Sequence, residues 1–328
     1  MELKQKLYQM FILGLEGESL SENKNLVKAL NKGLGGVIFF TRNIKTELQT
    51  INLIKSIKAE AEITPFLSID QEGGRVERTE NLFGGKKFLS LGKCNCDLNL
   101  IKTQTIQISH LLKELGFNLN FAPCLDVNTN PDNPIIGERA FSDNTDEVIK
   151  CGRIAVDTYL ENGIIPCIKH FPGHGDASVD SHVSLPEINM SLPEMEKFHI
   201  RPFKEVFSPM IMVAHLHCQA FDREKIPTSL SKNAIGYLRN ELCYKGLIVT
   251  DDMVMGGVIN SQADDGGLEA ALSAIRAGVN LLLYRNSCDS TIKIIEDIAG
   301  IAESDVEIRQ KIECSFDKIT KCKEEYIL

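Results

Sequence analysis

The sequence predicts an α/β fold, a single (β/α)8 barrel of the TIM type, and three observations predict it. Short, almost unbroken apolar runs recur along the 328 residues. Stretches of helical character separate them. Ionisable side chains gather where several of the runs finish. Unbroken apolar runs, rather than alternating ones, suit a parallel sheet covered on both faces. Strands that alternate with helices along the whole chain then favour a barrel. A doubly wound open sheet is the alternative, but no GxGxxG follows the first run.

In order, the expected strands are QMFILG (9–14), GGVIFF (35–40), PFLSID (65–70), FNLNFAPCLDV (117–127), IIPCIKHF (164–171), PMIMVAHL (209–216), KGLIVTD (245–251) and GVNLLLY (278–284). Among the segments between them, ELQTINLIKSIKAEA (47–61) places Leu48, Ile51, Ile54 and Ile57 at helical spacing. TDEVIKCGRIAVDTYLEN (145–162) is amphipathic in the same way. SLPEMEKF (191–198) opens on Ser191 with Glu194 three residues on, the pattern of a capping box. From about residue 289 the tail reads as helices packed on the barrel. No Pro/Gly/Ser-rich linker, internal repeat or low-complexity stretch interrupts the chain, so residues 1–328 are expected to form one catalytic domain.

Composition narrows the function. Hydrophobic residues make up 43% and charged residues 25%, as in ordinary soluble proteins. A formal net charge of −9 argues against non-specific nucleic-acid binding. The ten cysteines include no CxxC, and Cys94 and Cys96 are the one tight pair. That pattern opposes a zinc ribbon or a disulfide framework and favours buried, reduced thiols. Near the start, the unbroken apolar run Met10–Leu13 is too short for a signal-peptide core. No run approaches transmembrane length. A cytoplasmic protein with no membrane partner is expected.

The polar residues at the strand ends carry the chemistry. Asp70 closes FLSID, Asp126 closes APCLDV, Lys169 and His170 close IPCIKH, His215 closes IMVAH, and Asp251 closes LIVTD. In a barrel these ends share one face, the face where barrel enzymes keep their active sites. Three reaction types compete for these residues. A metal site has His170 and His174 at H-x3-H spacing and His215 and His217 as an HxH pair, but Phe-Pro-Gly between the first two forbids a helical turn. A serine nucleophile lacks a GxSxG elbow. The third reading pairs Asp180 with His182. In extended backbone, residues two apart project to one side, so the carboxylate accepts the imidazole N–H and fixes its tautomer. Such an acid/base needs a nucleophile or an activated water, and Asp251 is the carboxylate on the most rigid support. Gly173 and Gly175 suggest a mobile loop that delivers the dyad.

KHFPGHG-x4-DSH, with SIDQEGGRVER, GERAFSDN and IVTDDMVMGG, resembles the glycoside hydrolase family 3 β-N-acetylglucosaminidases, in their single-domain form. The motifs run from about residue 33 to about residue 257. The resemblance implies that Asp251 forms a covalent glycosyl-enzyme and that His182 is the acid/base with Asp180 as its partner. It implies sugar-hydroxyl binding by Asp70, Arg78, Arg139, Lys169 and His170, with His215 lining the site. Glu72 is expected to orient its loop with Arg75, His174 to brace the long motif, and His199 and His217 to be structural or exposed. With no Trp in the chain, Met253 and Met255 are expected sugar contacts.

The implied activity is that of a retaining exo-β-N-acetylglucosaminidase, needing no cofactor and no metal. Its substrate would be a carbohydrate or muropeptide, with GlcNAc released from GlcNAc-1,6-anhydroMurNAc and its peptides during peptidoglycan recycling. A monomer is expected. A phosphorylase, a substrate-assisted hexosaminidase using the Asp251-Asp252 pair, a metal hydrolase and a non-catalytic muropeptide-binding regulator remain open.

Overall fold

The computed structural model describes residues 1–177, 185–259 and 267–328. Eight parallel strands close into a barrel: β1 (Phe11–Gly14), β2 (Gly36–Phe39), β3 (Phe66–Ile69), β4 (Leu119–Asn120), β5 (Ile165–Phe171), β6 (Met210–Val213), β7 (Leu247–Asp252) and β8 (Leu281–Tyr284). Each pairs with its neighbours in sequence, and β1 closes the ring on β8 through Phe11↔Leu282 and Leu13↔Tyr284. Every residue of β1, β2, β3, β5, β6 and β8 is buried. That is why these strands read as unbroken apolar runs rather than alternating ones.

Each expected run holds a barrel strand, but the fourth is mostly irregular. Regular pairing in 117–127 is limited to Leu119–Asn120, with an isolated bridge from Cys124 to Lys169. Pro123 has no N–H to give a ladder, and the chain leaves the sheet there. The excursion carries Asp126 inward, where its carboxylate is fully buried.

Side-chain caps start the long helices. Thr46 accepts from the Gln49 N–H, Asp97 from Asn99 and Leu100, and Asn144 from Asp146 and Glu147. The Glu47–Glu60 helix buries Thr50, Leu53, Ile54 and Ile57. The expected stripe was out of phase at its start: Leu48 is 69% exposed, because it lies in the first turn on the outer side. At Ser191, both the backbone N–H and the hydroxyl donate to the Glu194 carboxylate, at 2.9 and 2.6 Å. All ten cysteines are free thiols, most of them buried.

The tail forms two helices, Asp289–Ala302 and Val306–Tyr326. Near the end of the second, Lys323 reaches under the barrel floor. Its ammonium donates to Gln9 Oε1 at 2.8 Å and to the Gly35 carbonyl at 3.0 Å, and stands 4.8 Å from the Phe66 ring centroid. Those three residues sit at the N-terminal ends of β1, β2 and β3, so one lysine touches all three strand starts. No helix among the described residues is long and apolar enough to cross a membrane.

Candidate active site

The C-terminal strand ends surround a pocket of about 340 Å3, at the small end of the roughly 300–1,000 Å3 usual for small-molecule sites. Asp70, Arg78, Arg139, Lys169, His170 and Asp251 all line it. Residues from four parts of the chain thus meet at one face.

A buried charge network forms one wall. β5 ends by presenting Lys169 and His170. The Lys169 ammonium lies 2.8 Å from Asp70 Oδ1 and 2.6 Å from Glu72 Oε1. Arg139 grips the same Glu72 with two parallel bonds of 2.9 Å, from Nε and Nη2. Such a fork-on-carboxylate contact fixes direction as well as charge. Burial works to raise the Glu72 pKa, but Arg139 and Lys169 overcome it and hold the carboxyl well below its usual range. Lys169 is likewise kept charged: burial opposes its ammonium, and Asp70 and Glu72 outweigh that. Glu72 does not pair with Arg75 as expected. Arg75 instead donates to the Pro134 and Ile135 carbonyls of the neighbouring loop while lining the pocket.

The Gln71–Thr79 loop that carries this network is braced from within. The Asn120 side chain accepts from the Gln71 N–H and donates to the Gln71 carbonyl, both at 2.9 Å. Gln71 Oε1 accepts from the Arg78 N–H, and Gln71 Nε2 donates to Glu77 Oε1 at 2.6 Å. Gly73 takes a φ of 85°, and a side chain there would strike the Leu89 carbonyl. Arg78 is consequently aimed into the pocket against the Phe40 ring, 5.6 Å from its centroid. Its Nε is buried with no hydrogen-bond partner among the described residues. A hydroxyl-bearing ligand would satisfy it.

Asp126 anchors the second wall. Its Oδ2 accepts from His170 Nδ1 at 2.7 Å and from the His170 N–H at 3.2 Å, and its Oδ1 accepts from the His174 N–H. Cys124 donates its thiol to the same Oδ2 at 3.0 Å. The ligand-type atoms of Cys124, Asp126 and His170 lie within 4.8 Å of one another. They satisfy each other through these bonds, so they form a hydrogen-bonded cradle for the His170 ring. Its Nε2 lies 3.4 Å from Arg139 Nη2 and faces the pocket. Burial, with His170 beside it, lowers the His174 pKa to about 4, which leaves that pocket-lining ring neutral. Gly173 and Gly175 are close-packed. A Cβ on Gly173 would lie 2.6 Å from His199 Cβ, and one on Gly175 would lie 1.7 Å from the Val127 carbonyl oxygen.

Asp251 occupies the end of β7. Burial acts to raise its pKa, but His170, His215, the Asp252 N–H and Lys169 together lower it. The carboxylate is therefore ionised, and its Oδ1 accepts from the Asp252 N–H at 2.7 Å. Asp252 is the contrasting neighbour: burial and the Asp251 charge push it up to about 6, against the pull of Arg285. Its carboxylate holds Arg285 Nε at 3.2 Å, and both residues line the pocket.

His215 does not reach the pocket. It is fully buried, with Nδ1 2.6 Å from Ser229 Oγ and Nε2 3.1 Å from the Asp252 carbonyl. A carbonyl only accepts, so Nε2 carries the hydrogen, and the ring supports the backbone beside Asp251. His199 and His217 are buried as well, the latter in a two-residue ribbon with Glu187–Ile188. Met255 lines the pocket and Met253 does not. Asp180 and His182 lie outside the described residues.

Sequence reasoning placed Asp126 at a strand end but not as the partner of His170, and it did not give Glu72 and Arg285 their places here. Arg285 directly follows the β8 run, so the strand-end rule that found Asp251 also reaches it.

The glycosyl hydrolase family 3 N-terminal domain matches residues 2–322. Beta-hexosaminidase A of Pseudoalteromonas piscicida is 33% identical over 327 residues, covering 88% of this chain and 53% of that protein. The chain thus spans about half the length of that relative. Beta-hexosaminidase of Idiomarina loihiensis is 29% identical, covering 90% of this chain and 88% of the relative. A solved family 3 β-N-acetylglucosaminidase from Paenibacillus sp. str. FPU-7 superposes with a TM-score of 0.89 at 31% identity, over 99% of this chain and 63% of that one. By motif, barrel and pocket alike, the chain belongs to the glycosyl hydrolase family 3 N-terminal domain family.

Proposed function

We propose that this chain is a retaining, exo-acting β-N-acetylglucosaminidase in which Asp251 is the nucleophile. The observation that carries the reading is the shared pocket: an ionised carboxylate at a rigid strand end faces the Asp70–Lys169–Glu72–Arg139 network. The names of the relatives support the sugar class. Paired cations and carboxylates with fixed directions suit vicinal hydroxyls, which both donate and accept.

In this mechanism Asp251 attacks the anomeric carbon while His182, held charged by Asp180, protonates the departing oxygen. The C–O bond to the leaving sugar breaks as the ester to Asp251 forms. His182, now neutral, takes a proton from water, whose oxygen attacks the same carbon and releases Asp251. Retaining glycosidases of the common type use two carboxyl groups about 5–5.5 Å apart. Here a His–Asp pair would replace one of them. The reading extends to GlcNAc-terminated peptidoglycan fragments, handled in the cytoplasm, on the strength of the motif resemblance.

The test is to incubate the protein with a 2-deoxy-2-fluoro β-glycoside bearing a good leaving group, then measure intact mass and map the adduct. A fluoroglycosyl adduct on Asp251 is expected. Turnover of aryl β-GlcNAc with no adduct on any carboxylate would sink the covalent mechanism. Inert aryl β-GlcNAc with retained sugar binding would favour a binding protein.

A further inference from the structure

On the opposite face of the barrel, a hollow of about 350 Å3 opens at the N-terminal ends of β6 and β7. Its basic side is built by Lys318 and Lys321, three apart and so on one face of the Val306–Tyr326 helix, and by Lys245 just before β7. None of the three lysines forms an ion pair among the described residues. Burial lowers the Lys318 pKa, and Arg239, Lys245 and Lys321 lower it further. Arg239 stands behind, bonded to the Tyr244 and Gly246 carbonyls and to Asn280 rather than to any acid. One carboxylate, Glu325, also lines the hollow.

The other side of the hollow is apolar. Phe207, Pro209, Leu247 and Tyr326 line it, and Phe207 is 66% exposed in the turn that leads into β6. A protein of net charge −9 that gathers unpaired lysines around an exposed phenylalanine presents an amphipathic socket. A free phosphate would use the lysines and leave the apolar wall idle. An anionic membrane or a polynucleotide would meet the chain's overall negative charge outside this small hollow.

We propose that this hollow at the barrel base docks an acidic protein segment, with carboxylates on Lys245, Lys318 and Lys321 and an apolar side chain against Phe207. The surface lies at the strand ends remote from Asp251, so docking is separable from the proposed catalysis.

The experiment titrates the protein into a fluorescein-labelled, Glu/Asp-rich peptide with one central Phe and follows fluorescence anisotropy. Saturable binding is expected, weakening sharply as the screening length falls from about 10 Å at 0.1 M salt to about 3 Å at 1 M. Lys318→Glu/Lys321→Glu should weaken it by at least about tenfold, the loss that follows from reversing two charges at the contact. Phe207→Ser should weaken it several-fold while the same peptide with Phe replaced by Ser loses no further affinity on that variant. Far-UV circular dichroism and aryl β-GlcNAc turnover, if present, should match wild type. No saturable binding, equal binding by the charge-reversed variant, or full competition by millimolar inorganic phosphate overturns the proposal. Tighter binding of phosphatidylglycerol vesicles or single-stranded DNA than of the peptide also overturns it.

Discussion

At one end of the barrel Lys169 is buried between Asp70 and Glu72. At the other end Lys323 is buried as deeply, 2% exposed like Lys169, with an amide oxygen, a carbonyl and an aromatic face around it and no carboxylate partner among the described residues. The two ammonium groups respond in opposite ways. Burial penalises both, yet the carboxylates raise Lys169 above the ordinary lysine value, while Lys323 falls to about 7. Depth alone therefore does not set the protonation state; the facing charge does. The pocket end can carry dense charge because each ion has a partner. At the floor end Lys323 is a buried cation that ordinary amide and π contacts only partly compensate.

The largest effect expected at the pocket end is on rate. Asp251→Asn should lower kcat on aryl β-GlcNAc by at least about 10³-fold, the scale seen when a nucleophile is removed. Unfolding free energy should change little, because among the described residues Asp251 accepts a hydrogen bond from the next residue's N–H, and an amide oxygen can accept it too. A variant that keeps a tenth of the wild-type kcat removes Asp251 from the reaction.

Glu72→Gln should show the reverse balance. It leaves Arg139 without its carboxylate and Lys169 with Asp70 alone, and breaking a buried pair costs about 3–5 kcal/mol. Urea unfolding should register that loss, with KM rising as Arg139 and Lys169 lose their fixed directions. A cost below about 1 kcal/mol, the level of a surface pair, would mean that pairing is not what sustains the charges here.

Local signals made the barrel legible. Apolarity over a few residues marked every strand, and Asp70, Lys169, His170 and Asp251 stood out because each follows such a run. What escaped was pairing between distant residues. Glu72 finds Arg139 across 67 positions, and Asp126 finds His170 across 44. From sequence, Glu72 seemed to belong to nearby Arg75, and the fold sent that arginine elsewhere. Leu48 misled for a related reason, since helical phase is fixed by what the helix packs on and not by the first apolar residue. His215 sits at a strand end like the others, yet its ring turns to Ser229 and the Asp252 carbonyl, a choice of direction that strand position does not encode. Lys323 was the least legible. It occupies a helix rich in lysine and glutamate, and its contact with Gln9 spans 314 positions.

Lys323 gives the sharpest test of the contrast between the ends. In the unfolded chain its amine titrates near the ordinary 10.5, and in the folded chain burial lowers it to about 7. Between those values the unfolded state binds more protons than the folded one, so stability rises with pH, by at most about 1.4 kcal/mol per unit. Below about pH 7 both states are protonated and the penalty is constant. Lys323→Met keeps the length of the side chain and removes the charge. Its unfolding free energy should lack the rise between about pH 7 and 10, leaving it above wild type at pH 7 and nearest to wild type at the alkaline end. A wild-type protein that is flat across that range, with Lys323→Met destabilised throughout, would show that Gln9, Gly35 and Phe66 compensate an ammonium as fully as Asp70 and Glu72 do. Lys169 and Lys323 would then be the same kind of buried charge.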